Sequence, residues 1–207
     1  MTTFKVVSVN ISKEKGTIKK PVEFIQLDKN GCEGDAHSGP WHRQVSLLGT
    51  NSFDKFSKQA NRSFKYGDFA ENITTEGIEL YKTKPLDRFI SNDIVLEVTQ
   101  IGKKCHGDGC AIFKEVGNCV MPKEGIFCRV IQGGELVAGH EFEYNPKVFR
   151  VLIITLSDRA SEGVYTDRSG PRVKKLIEEH FNKIERQFKI DSIVIPDHAK
   201  SLEILAQ

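Results

Sequence analysis

Polar side chains that could bind an anionic ligand gather in a glycine-rich loop in the first quarter of the chain. The stretch GDAHSGPWHRQVSLL (34–48) places Asp35, His37, Arg43 and Gln44 beside two glycines, just ahead of an apolar run. Backbone amides in such a turn, together with an arginine, can bind an anion at the mouth of a strand. The alternative is a surface loop with incidental histidines, since loops collect polar residues whatever they do.

A thiol in a second glycine-rich loop could supply a nucleophile or a soft metal ligand. In IGKKCHGDGC (101–110), Cys105 follows two lysines and precedes a histidine. Neighbouring positive charge favours the thiolate, which is the form that attacks electrophiles and binds metals. Between these two loops, YGDFAENITTEGI (66–78) contributes a Glu71-Asn72 pair that precedes a strand-like run.

A structural zinc site is the competing explanation for the cysteine-rich region. Its candidate ligands are Cys105, His106, Cys110 and Cys119. No paired Cys-x-x-Cys occurs in the sequence, and that pairing is the usual spacing signal of structural zinc. Cys32 and Cys128 lie beside or within strand-like stretches, so we expect them to be small packing residues.

The charge balance gives no electrostatic argument for a nucleic-acid partner. Lysine and arginine number 30 against 28 acidic residues, the formal net charge is +2, and no block of five basic residues occurs. The first residues carry no signal-peptide pattern, and no apolar run approaches the roughly 20 residues that a membrane helix requires. We therefore expect a cytoplasmic protein with reduced cysteines, which binds neither nucleic acid nor a membrane.

Short strands with few helices are predicted for the first 147 residues. Alternating or β-branched runs, separated by turn signals, place strands at 4–11, 22–28, 43–49, 93–102, 125–134 and 135–144. Phe53 and Phe56 are spaced for one face of a helix over 52–60, and a second short helix is predicted around 110–116. Many strands and few helices indicate a mainly β fold with a closed or nearly closed barrel.

The sequence pattern changes near residue 146. VFRVLIITL (148–156) is apolar with little alternation, as expected of a parallel strand that is covered on both faces. Pro171 suits the first turn of a following helix, SIVIP (192–196) is a second strand, and LEILAQ (202–207) begins a further helix. We therefore predict a β-barrel-like domain at 1–147, followed by an incomplete α/β strand–helix–strand segment at 148–207.

Taken together and in order, the loops of the first domain resemble the MOSC family, the C-terminal domain of molybdenum cofactor sulfurases. The resemblance rests on GDAHSGPWHRQVSLL, YGDFAENITTEGI, IGKKC and GIFCRVIQGGELVAGH, and it covers nearly all of residues 1–147. The family implies a functional cysteine that carries sulfur or ligates the molybdenum of the cofactor, and Cys105 holds that position. Lys103-Lys104 stands where many relatives have Arg-x-Pro, which leaves Cys110 as the alternative thiol.

The same resemblance implies a cleft for molybdopterin, the pterin dithiolene that carries molybdenum. The residues assigned to cofactor binding are Asp35, His37, Arg43, Gln44, Glu71 and Asn72. A thiolate is a soft ligand that suits such a metal centre, and an arginine beside a glycine turn suits the phosphate of the pterin.

Residues 148–207 resemble the opening of the molybdopterin adenylyltransferase family, with ITLSDRASEGVYTDRSGP as the most specific stretch. The residues that match its active-site positions are Ser157, Asp158, Asp167 and Asp197. A complete domain of that family would hold Mg²⁺ and nucleotide through such carboxylates, whereas a capping role is the alternative for Asp158. The family's Gly-Gly-Thr-Gly loop does not occur in this sequence, so we expect this segment alone to be inactive in adenylyl transfer.

Both resemblances point to a protein of molybdenum cofactor biosynthesis or handling. The expected partners are molybdopterin or its adenylated form, and molybdoenzymes or cofactor-assembly proteins. One role is a carrier that hands the cofactor over without turnover; another is a cofactor-dependent reductase of N-hydroxylated compounds, or a sulfur-transfer enzyme. The sequence has no flavin, haem or iron–sulfur signature, which favours the carrier, and a barrel that binds an unrelated anion is the third alternative.

Overall fold

The computed structural model describes residues 2–104, 119–198 and 202 of the 207-residue chain. The chain forms two units, Met1–Pro146 and Lys147–Gln207, and each is described by itself. The first unit is built mostly of strands, and the second alternates strand and helix.

The described part of the first unit contains eleven strands. They are β1 (Thr2–Ile11), β2 (Lys20–Val22), β3 (Phe24–Asp28), β4 (Gly31–Cys32), β5 (Val45–Gly49), β6 (Ile73–Glu76), β7 (Arg88–Ser91), β8 (Ile94–Ile101), β9 (Ile126–Gln132), β10 (Gly134–Val137) and β11 (Glu141–Asn145). Seven of them, in the order β1-β6-β5-β9-β8-β7-β11, close into a barrel because β11 pairs back onto β1. The predicted mainly β fold with a closed barrel is confirmed.

Barrel pairing is antiparallel throughout, except that β5 and β6 run parallel. Strand β2 adds to β1 outside the closed ring, and β10, β3 and β4 form a small separate sheet. Closing the ring pairs the edges that an open sheet would expose, so the barrel strands need no further partner.

The core follows from the alternation of apolar and polar residues along the strands. In β1, Phe4 and Val6 are buried while Lys5 between them is exposed. The Phe4 ring lies 4.9 Å from that of Phe89 and 5.6 Å from that of Phe142, measured between centroids. Burying each side chain of this size stabilises the fold by roughly 1.5–3 kcal/mol.

Strand boundaries differ from the sequence prediction where short turns interrupt apolar runs. The single strand predicted at 135–144 is wrong, because β10 and β11 are separated by a turn in which Gly139 has φ +98°. The strand predicted at 22–28 is divided between β2 and β3 at Glu23. Strand β7 was absent from the prediction because four residues are too few to show a clear period.

Among the described residues of the first unit, one long helix packs against the barrel. Helix α1 (Thr50–Ala60) buries Phe53 and Phe56 against Phe69 and the neighbouring apolar side chains. It is followed along the chain by a 3-10 turn at Leu80–Lys82 and by the short helix α2 (Met121–Glu124). The helix predicted at 52–60 is therefore present, whereas the one predicted around 110–116 lies outside the described residues.

The second unit is a parallel strand pair with helices on the chain between them. Strands β12 (Val148–Leu156) and β13 (Gln187–Ile195) pair along their whole length. Between them come α3 (Asp158–Ser161) and α4 (Ser169–Lys183), and the latter holds the Phe181 ring 5.2 Å from both Phe149 and Phe188. The helix contains Pro171 near its start, where proline is tolerated because the first amides have no helical partner.

No helix in the described part of the chain is both long enough and apolar enough to cross a membrane.

Candidate functional site

A cleft of about 100 Å³ lies between the first polar loop, the turn that precedes β6, and the chain on either side of the undescribed segment. Its lining residues are His37, Trp41, Arg43, Ser46, Ala70, Asn72, Lys103, Met121 and Phe127. His37, Arg43 and Asn72 are among the residues that the sequence predicts for cofactor binding. Lys103 belongs to the stretch 101–110, so the cleft brings together residues of all three predicted loops.

The guanidinium of Arg43 lies over two aromatic rings of the cleft. Its central carbon is 4.8 Å from the centre of the Trp41 ring and 5.6 Å from that of Phe127. Such contacts use the flat faces of the guanidinium and leave its N–H edge available to donate. The Nε atom of Arg43 is buried and has no hydrogen-bond partner among the described residues, so it lacks the acceptor that a buried donor requires.

A second cation shares the Phe127 ring. The ammonium of Lys103 lies 6.0 Å from the ring centre. Its backbone is held in place because the amides of Gly102 and Lys103 donate to the carbonyls of Gly125 and Pro122, at 2.7 and 3.2 Å. Gly102 has φ +66°, and a side chain there would overlap the Pro122 carbonyl oxygen, so this approach requires glycine.

Neither Arg43 nor Lys103 has an ion-pair partner in the part of the chain that the structure describes. Both side chains line the cleft and both lie over the Phe127 ring, so the cleft carries two positive charges. A phosphate or a similar oxyanion satisfies both, because it accepts several charge-assisted hydrogen bonds at once. The arrangement therefore suits an anionic group.

The loop that bears Trp41 and His37 is fixed from below by a buried ion pair. Lys19, 2% exposed, donates to the Asp35 carboxylate, which is 6% exposed. The same carboxylate accepts from the amides of Ser12 and His37, at 3.1 and 2.9 Å. Asp35 therefore positions the loop through contacts with protein groups.

These contacts also control the ionisation of the pair. Burial opposes the charged form of Asp35, but His37 and the Lys19 charge outweigh it and hold the pKa of this carboxyl well below its usual range. Burial lowers the pKa of Lys19, although the attraction of Asp35 opposes that shift. The Nδ1 atom of His37 lies 3.5 Å from the Asp35 carboxylate.

Gln44 connects the loop to the barrel wall. Its amide nitrogen donates to the carbonyls of Lys29 and Gly39, and its oxygen accepts from the amide of Val130, at 2.8 Å. The side chain is buried, and β5 begins at the next residue. Gln44 therefore fixes the chain at the point where it passes from Arg43 into β5. Its own side chain does not line the cleft.

The Glu71-Asn72 pair splits between the cleft and the interior. Asn72 lines the cleft, and its side-chain oxygen accepts from the amide and hydroxyl of Ser46 on β5, at 3.1 and 3.0 Å. Its nitrogen donates to the Asn10 carbonyl on β1, at 3.2 Å. Glu71 is fully buried, so it stands behind the cleft wall.

The cysteines divide into buried residues and residues that lie outside the described part of the chain. Cys105 and Cys110, the two candidate functional thiols, are both outside it. Cys32 and Cys128 are fully buried in the core, which agrees with their predicted packing role. Burial raises the pKa of Cys32 to about 12 and raises that of Cys128 as well, so neither thiol is a ready nucleophile.

Several lining residues have no part in the sequence prediction. Trp41 lies within the predicted loop, but its contact with an arginine depends on the loop conformation, in which Nε1 donates to the His37 carbonyl at 2.8 Å. Phe127 lies in β9 and Met121 begins α2, and both are far from the first loop in sequence. No local pattern marks them as site residues. Lys103 entered the prediction only as a neighbour of Cys105.

In the second unit, the four predicted polar residues gather at the carboxyl ends of the parallel strands. Ser157 caps α3 by accepting from the Ala160 amide at 3.2 Å, and it contacts the Tyr165 hydroxyl at 2.8 Å. The Asp158 carboxylate accepts from the Asp197 amide at 2.9 Å, which joins the ends of β12 and β13. A cavity of about 470 Å³ at this edge is lined by Ser157, Tyr165 and Asp167, among others.

Asp167 binds the start of α4. Its carboxylate accepts from the Thr155 hydroxyl and from the amides of Ser169 and Gly170, at 2.9 to 3.2 Å. Burial opposes ionisation, but these hydrogen bonds outweigh it and lower the pKa of Asp167. The carboxylate therefore stabilises first-turn amides that would otherwise lack acceptors.

Metal-binding clusters are absent from residues 2–104 and 119–198, where no three His, Cys, Asp or Glu side chains meet in a geometry that could hold an ion. The zinc alternative and the metal role of Cys105 both involve residues outside these ranges.

Comparison with known proteins gives one family and several solved structures of similar fold. The model of the MOSC domain matches residues 34–143, which is more than half of the chain. No match is found among curated proteins. The barrel loops at 34–48 and 66–78 both fall within the matched residues.

Solved structures share the fold at low sequence identity. The YuaD protein from Bacillus subtilis is 17% identical, with a TM-score of 0.58 over 70% of this chain and 97% of that chain. YiiM from Geobacillus stearothermophilus is 21% identical, with a TM-score of 0.56 over 68% of this chain and 74% of that chain. YiiM from Escherichia coli is also 21% identical, with a TM-score of 0.50 over 72% of each chain.

Proposed function

The chain belongs to the MOSC domain family, and on that basis we propose that its barrel binds a molybdopterin-type cofactor in the cleft of Arg43 and Lys103. The protein then acts in molybdenum cofactor biosynthesis or handling, as a carrier that binds the cofactor and passes it on. The observation that carries this proposal is the pair of cations over the Phe127 ring, which has no anionic partner among the described residues.

The residues of the cleft fit the parts of such a cofactor. Arg43 and Lys103 would hold the phosphate, since a guanidinium edge and an ammonium both donate to phosphate oxygens. The Trp41 ring suits a heteroaromatic pterin, which needs a flat surface on which to stack, because Arg43 covers only one of its faces. The bound cofactor supplies a dithiolene-held metal, and the protein supplies its orientation.

Cys105 is proposed as the thiol that carries sulfur or ligates molybdenum, on the strength of the family resemblance. It follows Lys103 by two positions in the sequence. A protein thiolate is a soft ligand and suits a metal already held by sulfur.

The second unit is proposed to be related to the molybdopterin adenylyltransferases, as its sequence resemblance implies. Ser157, Asp158, Asp167 and Asp197 lie at the carboxyl ends of two parallel strands, where open α/β sheets bind their ligands. Partners of the whole protein would then be molybdopterin or its adenylated form, and molybdoenzymes or cofactor-assembly proteins.

Cofactor content of the purified full chain tests the proposal. After expression in a host that makes the cofactor, the wild type should carry molybdenum and pterin in similar amounts. Arg43→Gln should reduce pterin content by about tenfold or more at limiting cofactor, because a charged hydrogen bond contributes about 1.5–3 kcal/mol. Cys105→Ala should reduce molybdenum content.

Arg62→Gln is the matched control, because Arg62 also stacks on a phenylalanine, Phe64 at 4.4 Å, but does not line the cleft. Its cofactor content should equal that of the wild type. If the wild type stays empty after reconstitution with free cofactor, the proposal is wrong. If the loaded protein reduces hydroxylamine-type compounds with an electron donor, and Cys105→Ala does not, the protein is an enzyme and not a carrier.

A further inference from the structure

Three buried ionisable groups lie behind the cleft, and their charges do not balance. Asp35 and Glu71 are carboxylates, 6% and 0% exposed, whereas Lys19, 2% exposed, is the cation that faces them. Lys19 is paired with Asp35. With all three groups ionised, Glu71 is the excess buried negative charge.

Glu71 is also incompletely hydrogen-bonded. Its Oε1 atom accepts from the Gly67 amide and from the Thr74 hydroxyl, the latter at 2.9 Å. Its Oε2 atom is buried without a partner in the described structure. Burial raises the pKa of Glu71 to about 7, against the opposing effect of the Gly67 hydrogen bond. At neutral pH, this carboxyl group is therefore present in both its charged and its neutral form.

The neighbours of Glu71 in the chain connect it to the cleft. Ala70 and Asn72, on either side of it, both line the cleft. Asn72 and Ala70 are held to Ser46, another lining residue, by hydrogen bonds of 3.0 to 3.2 Å. The buried carboxylate therefore lies one layer behind the wall that faces Arg43 and Lys103.

We propose that binding of an anion by Arg43 and Lys103 is coupled to the uptake of one proton by Glu71. An anion held by Arg43 and Lys103 brings negative charge to the wall in front of Glu71. Negative charge nearby favours the neutral acid, as that of Asp68 already does, because charges interact strongly where water is excluded. The proton comes from solvent, and only the O–H bond of the carboxyl group forms. This inference rests on the proposed anion-binding function of the cleft.

The other groups that face Glu71 do not reproduce this behaviour. From the loop before β2 comes Lys19, which is neutralised by Asp35, and β1 and β6 present the neutral side chains of Asn10 and Thr74. Asp68 of its own loop adds negative charge, which favours the neutral acid. His37 also lines the cleft, and the variant His37→Gln separates the contribution of its imidazole from that of Glu71.

The sole tryptophan of the chain makes the cleft directly observable. Trp41 stacks on Arg43, so its fluorescence should respond to an anion that binds there. Sulfate is the probe, because it keeps its double negative charge across the neutral range, whereas phosphate titrates. Full-length wild type is titrated with potassium sulfate at constant ionic strength from about pH 6 to about pH 8, where an ordinary Glu does not titrate.

The sulfate Kd of the wild type should increase by roughly threefold to fivefold between about pH 7 and about pH 8, since a full linked proton changes affinity tenfold per pH unit and Glu71 takes up only part of one there. Glu71→Gln mimics the neutral acid and should bind sulfate at about pH 8 as tightly as the wild type does at about pH 6, with less than about a twofold change over the range. His37→Gln should keep the pH dependence above about pH 7, even where its affinity is lower.

Calorimetry on the wild type provides a test that needs no variant. In buffers of different ionisation enthalpy at about pH 8, sulfate binding should take up roughly half a proton per anion. Sulfate binding with no proton uptake, or the same pH dependence in Glu71→Gln as in wild type, would overturn the coupling and leave the anion site intact. If sulfate gives no Trp41 response and no heat in wild type, the anion site itself fails and the coupling falls with it.

Discussion

At the scale of single residues, the cleft separates groups that face a ligand from groups that hold those residues in place. Arg43 and Lys103 meet at one aromatic ring and have no acceptor among the described residues. Asp35 and Gln44 are polar too, but their oxygen and nitrogen atoms are used on protein partners. The difference lies in hydrogen-bond satisfaction, because a buried polar group without a partner is costly unless a ligand supplies one.

The buried pair of Lys19 and Asp35 gives a prediction at this scale. Lys19→Met should lower the free energy of unfolding by about 3–5 kcal/mol, because it leaves the Asp35 carboxylate buried without its cation. Urea unfolding at pH 7, followed by Trp41 fluorescence, measures the loss.

Lys20→Met serves as the control, because Lys20 is exposed at the next position and its replacement should change stability by no more than about 0.5 kcal/mol. Equal losses in the two variants would show that the Lys19–Asp35 pair contributes nothing specific.

At the scale of elements, short loops rather than strands place the cleft residues, and glycine decides where the loops can approach one another. Gly67 has φ +94°, and its carbonyl accepts from the Lys19 and Ala70 amides. Its own amide donates to Glu71, so one residue joins the turn before β6 to the loop that bears Lys19, just before β2. A side chain at Gly67 would overlap the Lys19 carbonyl oxygen.

Gly67→Ala should therefore destabilise the barrel by more than the roughly 1–2 kcal/mol that a left-handed backbone costs any alanine. Gly16→Ala is the matched comparison: Gly16 has φ +78°, but no atom lies within 4 Å of the added carbon. Thermal melts of the two variants should rank Gly67→Ala as the less stable. The reverse order would contradict the close approach of the two loops.

At the scale of the whole molecule, each unit has its own packing. Both apolar clusters of the barrel consist of residues between Phe4 and Tyr144. The second unit packs its helix through Phe149, Phe181 and Phe188. A domain with a core of its own can in general fold independently.

A shortened chain of residues 1–146 should then fold and keep the cleft. We expect cooperative unfolding, a Tm within about 4 °C of the barrel transition in the full chain, and the same response of Trp41 to sulfate. Circular dichroism and fluorescence measure both properties. Aggregation of the shortened chain, or a Trp41 spectrum typical of full solvent exposure, would show that the barrel depends on residues beyond 146.

The sequence alone was sufficient for the elements whose periodicity extends over a full strand or helix. Strand β12 and helix α1 lie where their apolar patterns place them. Shorter elements escaped prediction, since β7 has four residues and the turn between β10 and β11 interrupts a run that looks continuous. An alternation of apolar and polar residues must repeat several times before it can be distinguished from a chance arrangement.

For the site, sequence determined which residue types are available, and the tertiary structure decided what each can do. The order of the loops and the mainly β pattern depend on residues close together in sequence, so they can be predicted from the sequence. The proximity of Arg43, Lys103 and Phe127 depends on barrel closure, which joins segments far apart in sequence. Whether a polar group faces a ligand or a protein partner depends on that closure too, and this is why Glu71 and Asn72, adjacent in sequence, lie behind the cleft and in its wall.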